Sequence, residues 1–273
     1  GHRLPEQAIK TLAKKINIPV AHFENGLLPD TTTFDLSGVN DANSLPRDAQ
    51  FYRGYKTDKT LIERDLVTRK FHRSKKAHAK NKTFYAALPE KYIFVPFQVQ
   101  FDSQILLNSK NIKSMEDLYE WIQFAEQKSD QSLKFVIKEH PSDPHKYIEF
   151  YNKNPNIVFS NKDTKELIEK AEAIITVNSS VGLEAILLHK RVMVLGEACY
   201  NIEGLCSPVR TKRQLLEEID KLSTSELDIA LVEKFLAYLQ FEYCVSSSWR
   251  NPDKKHIDSL NKKFAKILNK KYK

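Results

Sequence analysis

Asn178-Ser179-Ser180 stands between an apolar, β-branched run (Ile174-Ile-Thr-Val177) and a helical pattern (Val181-Gly-Leu-Glu-Ala-Ile186). A buried parallel strand that turns tightly into a helix has this signature. At such a turn, Ser hydroxyls and unpaired backbone N–H groups converge on a helix N-terminus, whose partial positive charge suits a phosphate. The same residues also make an ordinary N-cap, so cap and phosphate site both stand on this stretch alone. Glu184 follows in the first or second helical turn, one loop away from whatever the serines hold.

Three other groups carry chemistry. Lys138-Glu-His140-Pro141 closes the apolar run Phe135-Val-Ile137, and a basic residue beside a His fixed by Pro141 can donate to a phosphate. A simple strand-end turn is the plainer reading of His-Pro, and Lys138 beside a serine turn favours the phosphate. Asp102 lies in a polar break with Gln100, Ser103 and Gln104, directly after an apolar strand. It reads either as a reactive carboxylate or as an Asx turn or N-cap for residues 103–108. Glu24 closes an early strand before Asn25-Gly26, as a reactive carboxylate or a solvated strand end. Arg47, in a long polar loop, could grip a carboxylate bidentately or pair with Asp48.

These groups need elements to hold them. The pattern predicts a helix from Pro5 to Ile16, a strand over Pro19–Phe23, a long loop over 27–53 and a basic helix over 57–80. Leu88-Pro89 reads as a linker. Beyond it come strands at Tyr92–Val95, Phe135–Ile137, Asn156–Phe159, the run before Asn178, and Val192–Leu195, with helices at 114–128, 164–170 and through most of 211–273. Repeated strand–helix units give a parallel sheet covered by helices. Ligands of such sheets lie beyond the carboxyl ends of the strands. Glu24, the 98–104 segment, Lys138–Pro141, Asn178–Ser180 and 196–204 all fall at those ends, which argues for one site.

The chain has 273 residues, 41% hydrophobic and 29% charged, as expected of a globular protein with one large or two modest cores. No apolar run is long enough to span a bilayer. Cys199, Cys206 and Cys244 are too few and too scattered for a disulfide framework or a zinc site, which points to a reducing, cytoplasmic setting. Gly1 in place of an initiator methionine points to a processed or trimmed piece. The net charge of +8 favours anionic partners. One basic cluster spans Arg69–Lys82. A second spans Lys254–Lys273, with Ile257, Leu260, Phe264, Ile267 and Leu268 at helical spacing. That helix could lie peripherally on an anionic membrane or dock on the core with a solvated lysine face. Nucleic acid is not expected, since no zinc-finger spacing or RNA-binding signature is present.

Taken in order, Glu24-Asn-Gly26, Lys138-Glu-His-Pro141 and Asn178-Ser-Ser180 resemble the acidic-acidic-Gly, His-Pro and Ser-Ser/Thr motifs of bacterial glycosyltransferases that use CMP-activated acid sugars. Closer still is the capsule polysaccharide biosynthesis family of the KpsC/KpsS type, which includes retaining β-Kdo transferases. Its flavour continues in Ser44–Tyr52, Val95–Gln104, Val177–Ala185 and Gly196–Tyr200 with Gly204-Leu205. The resemblance spans residues 1 to about 205. Two departures are Asn25 in place of the second acidic residue and a short N-terminal half, from which a first strand is missing.

The resemblance implies an α/β, GT-B-like fold of two Rossmann-type parallel-sheet domains, the N-terminal one short. Residues 1–88 would form the acceptor-side domain, 89–240 the CMP-sugar-binding domain and 241–273 a basic C-terminal helix. It implies a transferase that moves Kdo or a related acid sugar from a CMP donor to a capsule or lipopolysaccharide glycan, with neither metal nor other cofactor. His140, with Pro141 and Lys138, would hold the CMP phosphate from one side and Asn178, Ser179 and Ser180 from the other, with Glu184 on the ribose. Asp102 would be the nucleophile of a covalent glycosyl intermediate and Glu24 the general acid/base. Gln100, Gln104 and Arg47 would contact the sugar. An inverting transferase with another nucleotide sugar, or a non-catalytic capsule assembly or export protein, would share the fold.

Overall fold

The structure is a computed structural model describing residues 4–59, 87–100, 102–129 and 132–271. The expected basic helix over 57–80 therefore lies outside the described residues from position 60 onward, as does the Arg69–Lys82 cluster.

The N-terminal part holds helix α1 (Leu4–Lys15), strands β1 (His22–Asn25) and β2 (Thr31–Asp35), and helix α2 (Ala49–Arg53). After residue 87 come β3 (Tyr92–Pro96), α3 (Ser103–Asn108), α4 (Met115–Lys128), β4 (Lys134–Lys138), β5 (Ile157–Phe159), α5 (Thr164–Lys170) and β6 (Ala173–Thr176). The chain continues through α6 (Ser180–Leu187), β7 (Arg191–Val194), β8 (Ser207–Pro208), α7 (Lys212–Asp220), α8 (Ile229–Tyr238), β9 (Val245–Ser246) and α9 (Lys254–Lys271).

Six strands form a parallel sheet in the order β5-β4-β3-β6-β7-β8. Side chains alternate across it, as the pleat requires. Phe94, Ile174 and Val192 face α5, α6 and α8, while Ile93, Ile175 and Met193 face α4 and α7. Both faces are covered, which is why these strands are continuous apolar runs rather than alternating ones. The chain builds outward from β3 through β4 to β5, then returns to the other side of β3 with β6. The order reverses between β3 and β6, and a ligand crevice is expected there.

The N-terminal strands do not extend a parallel sheet as expected. They form an antiparallel sheet in the order β1-β2-β9. Thr31-Thr-Thr-Phe-Asp35, assigned to a loop from its polarity, is a strand of three β-branched residues with four positions buried. Gly26 makes the hairpin possible: its N–H donates to the Thr31 carbonyl (2.8 Å), and a Cβ there would run into the Thr31 side chain and backbone. Strand β1 also begins later than expected, so Glu24 lies within it rather than at its end.

The two ends of the chain meet in this sheet, and the expected break at residue 241 falls inside a continuous structure. Strand β9 pairs with β2, and Tyr243 donates to Asp35 (2.9 Å). The basic helix starts at Lys254 and docks, with His256 buried and the Phe264 ring packed at a tilt on Phe34, 4.7 Å between centroids. Helix α2 packs on α8 through Tyr52 and Phe235, 5.1 Å apart. Among the described residues, no helix is long and apolar enough to cross a membrane.

Candidate active site

The reversal point between β3 and β6 is built from amides. Beyond β3, Gln98 donates through Nε2 to Asn178 Oδ1 (2.9 Å) and accepts the Asn178 backbone N–H (3.1 Å). Asn178 Nδ2 in turn donates to the Gln104 carbonyl on α3 (2.8 Å). The Asn178 side chain is thus engaged in holding the serine turn against α3. Ser179 is the N-cap of α6, its hydroxyl accepting the Val181 N–H (3.2 Å). Ser180, the first helical residue, is exposed. Tyr200 donates its hydroxyl to the Ser179 carbonyl, and its ring lies where a Cβ on Gly182 would be. Only glycine lets α6 approach that closely.

Beside this turn lies a cleft of about 280 Å³ lined by Glu24, Asn25, Asn40, Asp41, Gln104, Asn178, Ser180, Glu197, Cys199 and Tyr200, with other residues. Four of the sequence-predicted residues, Glu24, Gln104, Asn178 and Ser180, therefore meet there. Burial pushes the Cys199 thiol up to about 11, so it is a neutral wall of the cleft.

His140 lies across β3 from the serine turn. Strands β4 and β6 flank β3, so their carboxyl ends stand two strand spacings, or about 10 Å, apart. The Ser142 N–H donates to His140 Nδ1 (3.1 Å), which places the proton of the neutral ring on Nε2. Burial lowers the His140 pKa against the raising effects of Asp143 and Asp102, and the Lys138 charge lowers it further. A neutral imidazole protonated at Nε2 can donate to a phosphate oxygen. Pro141 is exposed in the turn that follows.

Asp102 caps α3, accepting the Gln104 N–H at Oδ1 (2.9 Å). It is half-buried and close enough to His140 to act on its charge, but it does not line the cleft that holds Glu24. Gln100 turns away, its Nε2 donating to Glu116 Oε1 (3.3 Å). Lys138 is 6% exposed and donates to the Lys162 carbonyl (2.7 Å) and Thr164 Oγ1 (2.8 Å). Burial lowers its pKa against the raising effects of Asp163 and Glu184. Its ammonium thus braces the start of α5. Glu184 is buried below the turn, in the electrostatic neighbourhood of Lys138 and Tyr200. Arg47 pairs with Asp41 (3.9 Å) rather than Asp48, because the Asp48 side chain caps α2. Arg47 also donates to the Leu45 and Asp41 carbonyls.

Two residues outside the sequence reading organise this region. Asp143 is buried and accepts from the Gln100 N–H (3.1 Å), the His145 N–H (3.1 Å) and the Tyr147 hydroxyl (3.1 Å), joining the Asp102 loop to the His140 loop. Asp35 accepts from Ser37, Gly38, Ser44 and Tyr243, fixing the loop that brings Asn40 and Asp41 to the cleft. The only sequence signal for either was an Asp within a polar, turn-rich stretch. Among the described residues, Glu116, His145 and Glu149 could hold a metal, with ligand atoms within 4.8 Å of one another, but they do not line the cleft.

Residues 54–245 match the family of capsule polysaccharide biosynthesis proteins. The chain belongs to this family. Protein FixF of Sinorhizobium fredii (strain NBRC 101917 / NGR234) is 34% identical over 253 residues, covering 92% of this chain and 60% of FixF. The capsule polysaccharide export protein KpsS of Escherichia coli is 25% identical, covering 72% of this chain and 65% of KpsS. The capsule family chain thus spans less than two thirds of either relative. Among solved structures, the β-Kdo 2,4 transferase of Thermosulfurimonas dismutans KpsC superposes with a TM-score of 0.58 at 16% identity, covering 89% of this chain and 78% of that one. The β-Kdo 2,7 transferase of the same KpsC gives 0.54 at 18% identity, covering 89% and 83%. The fold is the α/β, GT-B-like one.

Proposed function

We propose that this chain is a glycosyltransferase that moves Kdo, or a related acid sugar, from a CMP-activated donor to a capsule or lipopolysaccharide glycan. The observation that carries this reading is the meeting of Glu24, Gln104, Asn178 and Ser180 in one cleft at the carboxyl ends of the parallel strands. Such a crevice is where nucleotide ligands of open α/β sheets bind. Ser179 and Ser180 at the α6 N-terminus hold one side of the CMP phosphate, and His140 Nε2–H donates from the other. Lys138 and Glu184 act from beneath, as supports of the two loops, and Arg47 and Gln104 border the sugar. No metal or other cofactor takes part in this reading. The protein works in the cytoplasm, peripherally at the inner face of the inner membrane through its basic C-terminal helix.

In the retaining route, Asp102 attacks the anomeric carbon as CMP leaves and Glu24 later activates the acceptor hydroxyl. A second reading, inverting transfer with Glu24 as the base, is favoured by the fact that Glu24 lines the cleft and Asp102 does not. Intact-protein mass spectrometry after incubation with freshly generated CMP-Kdo separates the two. A gain of one Kdo that disappears in Asp102→Ala establishes the retaining route. Turnover that survives Asp102→Ala and is lost in Glu24→Gln establishes the inverting one. The absence of both an adduct and CMP release with any acceptor would sink the enzyme reading in favour of a non-catalytic assembly or export protein.

A further inference from the structure

The chain has two tryptophans. Trp121 belongs to the core at 7% exposure, whereas Trp249 is 45% exposed. An exposed indole on a free chain end would be unremarkable, but Trp249 is held at two points. Its backbone N–H donates to Thr32 Oγ1 (2.8 Å), and its indole Nε1–H donates to Asn25 Oδ1 (3.2 Å). Asn25 is itself a wall of the cleft, next to Glu24. The ring is thus fixed at the cleft's rim by a residue that lines it. Indole N–H groups usually find a partner when the ring has a defined place.

Arg250 follows directly, with its guanidinium carbon 5.4 Å from the Trp249 ring centroid. That distance lies within the range of cation–π attraction. Among the described residues, Arg250 forms no ion pair with a carboxylate. A half-exposed aromatic plane and an uncommitted guanidinium are therefore held side by side at the edge of the cleft.

We propose that Trp249 and Arg250 form a subsite for an acidic glycan acceptor, an assignment that rests on the reading of the cleft as a glycan-transfer site. One face of a pyranose presents C–H groups that are weakly apolar and positively polarised, matching the negative face of an indole ring. A sugar carboxylate beside that face meets the Arg250 fork, which suits planar anions bidentately. The Asn25 bond sets the plane of the ring, so the acceptor is ordered at little cost in side-chain freedom.

The test is calorimetric titration of wild type, Trp249→Ala, Trp249→Phe and Arg250→Ala with a Kdo-terminated oligosaccharide and with its carboxyl-reduced form. CMP is titrated on the same samples. Trp249→Ala is expected to weaken acidic-glycan binding by about tenfold. Trp249→Phe, which keeps a ring face but loses the indole N–H, is expected to stay within about threefold of wild type. Arg250→Ala should weaken the acidic glycan and not the reduced one. CMP affinity is expected to be equal in all four proteins. Equal glycan affinity in wild type and Trp249→Ala, or no glycan binding by wild type, overturns the subsite. CMP binding that depends on Trp249 while glycan binding does not would assign the ring to the donor and also overturn it. Glycan binding through Trp249 without any CMP binding would uphold the subsite and sink the donor reading instead.

Discussion

Gln98 and Asn178 lock the carboxyl ends of β3 and β6 together by exchanging two hydrogen bonds, side chain to side chain at 2.9 Å and side chain to backbone at 3.1 Å. These neighbouring strands are the pair at which the sheet order reverses, so a ligand crevice must open between them. Gln98 is only 6% exposed, and its amide is complementary to Asn178 at both atoms. This amide pair thus ties the two strand ends together beyond their backbone pairing, where the crevice begins.

Removing either partner leaves buried polar atoms unmatched. Gln98→Leu and Asn178→Ala are each expected to cost about 1–3 kcal/mol. The double variant should cost less than the sum of the singles, because the second change removes an atom already orphaned. Urea unfolding of the four proteins measures this, and strict additivity would contradict the coupling.

The parallel sheet was legible because strands buried on both faces must be apolar throughout, and each such run here is followed by a turn and a helix. The Ser179 turn was legible for the same reason, as a change of period at a hydroxyl pair. The β1–β2 hairpin was not. Thr31, Thr32 and Thr33 are polar by composition, and only their β-branching pointed to a strand. Long-range partners were equally invisible. Nothing near Asp35 in the sequence announces Tyr243, and nothing near Lys138 announces the Lys162 carbonyl that occupies it. Candidate residues could be picked by their position at strand ends, whereas the atoms their side chains engage are set by tertiary packing.

His140 is predicted to titrate below the ordinary imidazole range and to carry its neutral-state proton on Nε2. Burial disfavours the imidazolium, and the Ser142 N–H occupies Nδ1. The folded protein therefore binds this proton less readily than the unfolded chain. The stability it contributes is complete above the unfolded value of about 6.5 and diminishes as pH falls through it. Imidazole nitrogen shifts in an NMR titration report both features, and a midpoint above 6.5 or an Nδ1–H tautomer would contradict them. His140→Ala is expected to lower CMP affinity by about tenfold or more, the scale of a hydrogen bond to a charged group. Lys138→Met should lower the unfolding temperature while changing CMP affinity by no more than about threefold, since its ammonium already serves α5.

Asp35 should be the main acid-sensitive support of the cleft. Burial alone would raise its carboxyl pKa, but donors from the Ser44 backbone and hydroxyl, the Ser37 N–H and the Tyr243 hydroxyl outweigh burial and hold it below the usual carboxylate range. A depressed carboxyl contributes stability that is full above the unfolded value of about 3.9 and is lost as pH falls through the folded one. Asp35→Asn replaces an acceptor-only group with an amide that must turn N–H atoms toward donors. It is expected to cost about 2–4 kcal/mol at neutral pH, from the loss of several charge-assisted bonds. The same variant should show a shallower loss of stability on acidification below about pH 4 than the wild type. Because Asp35 fixes the loop carrying Asn40 and Asp41, the variant should also loosen that wall of the cleft, read as faster amide exchange across residues 36–44. Parallel acid-unfolding curves for the two proteins would show that this carboxylate does not carry the pH dependence.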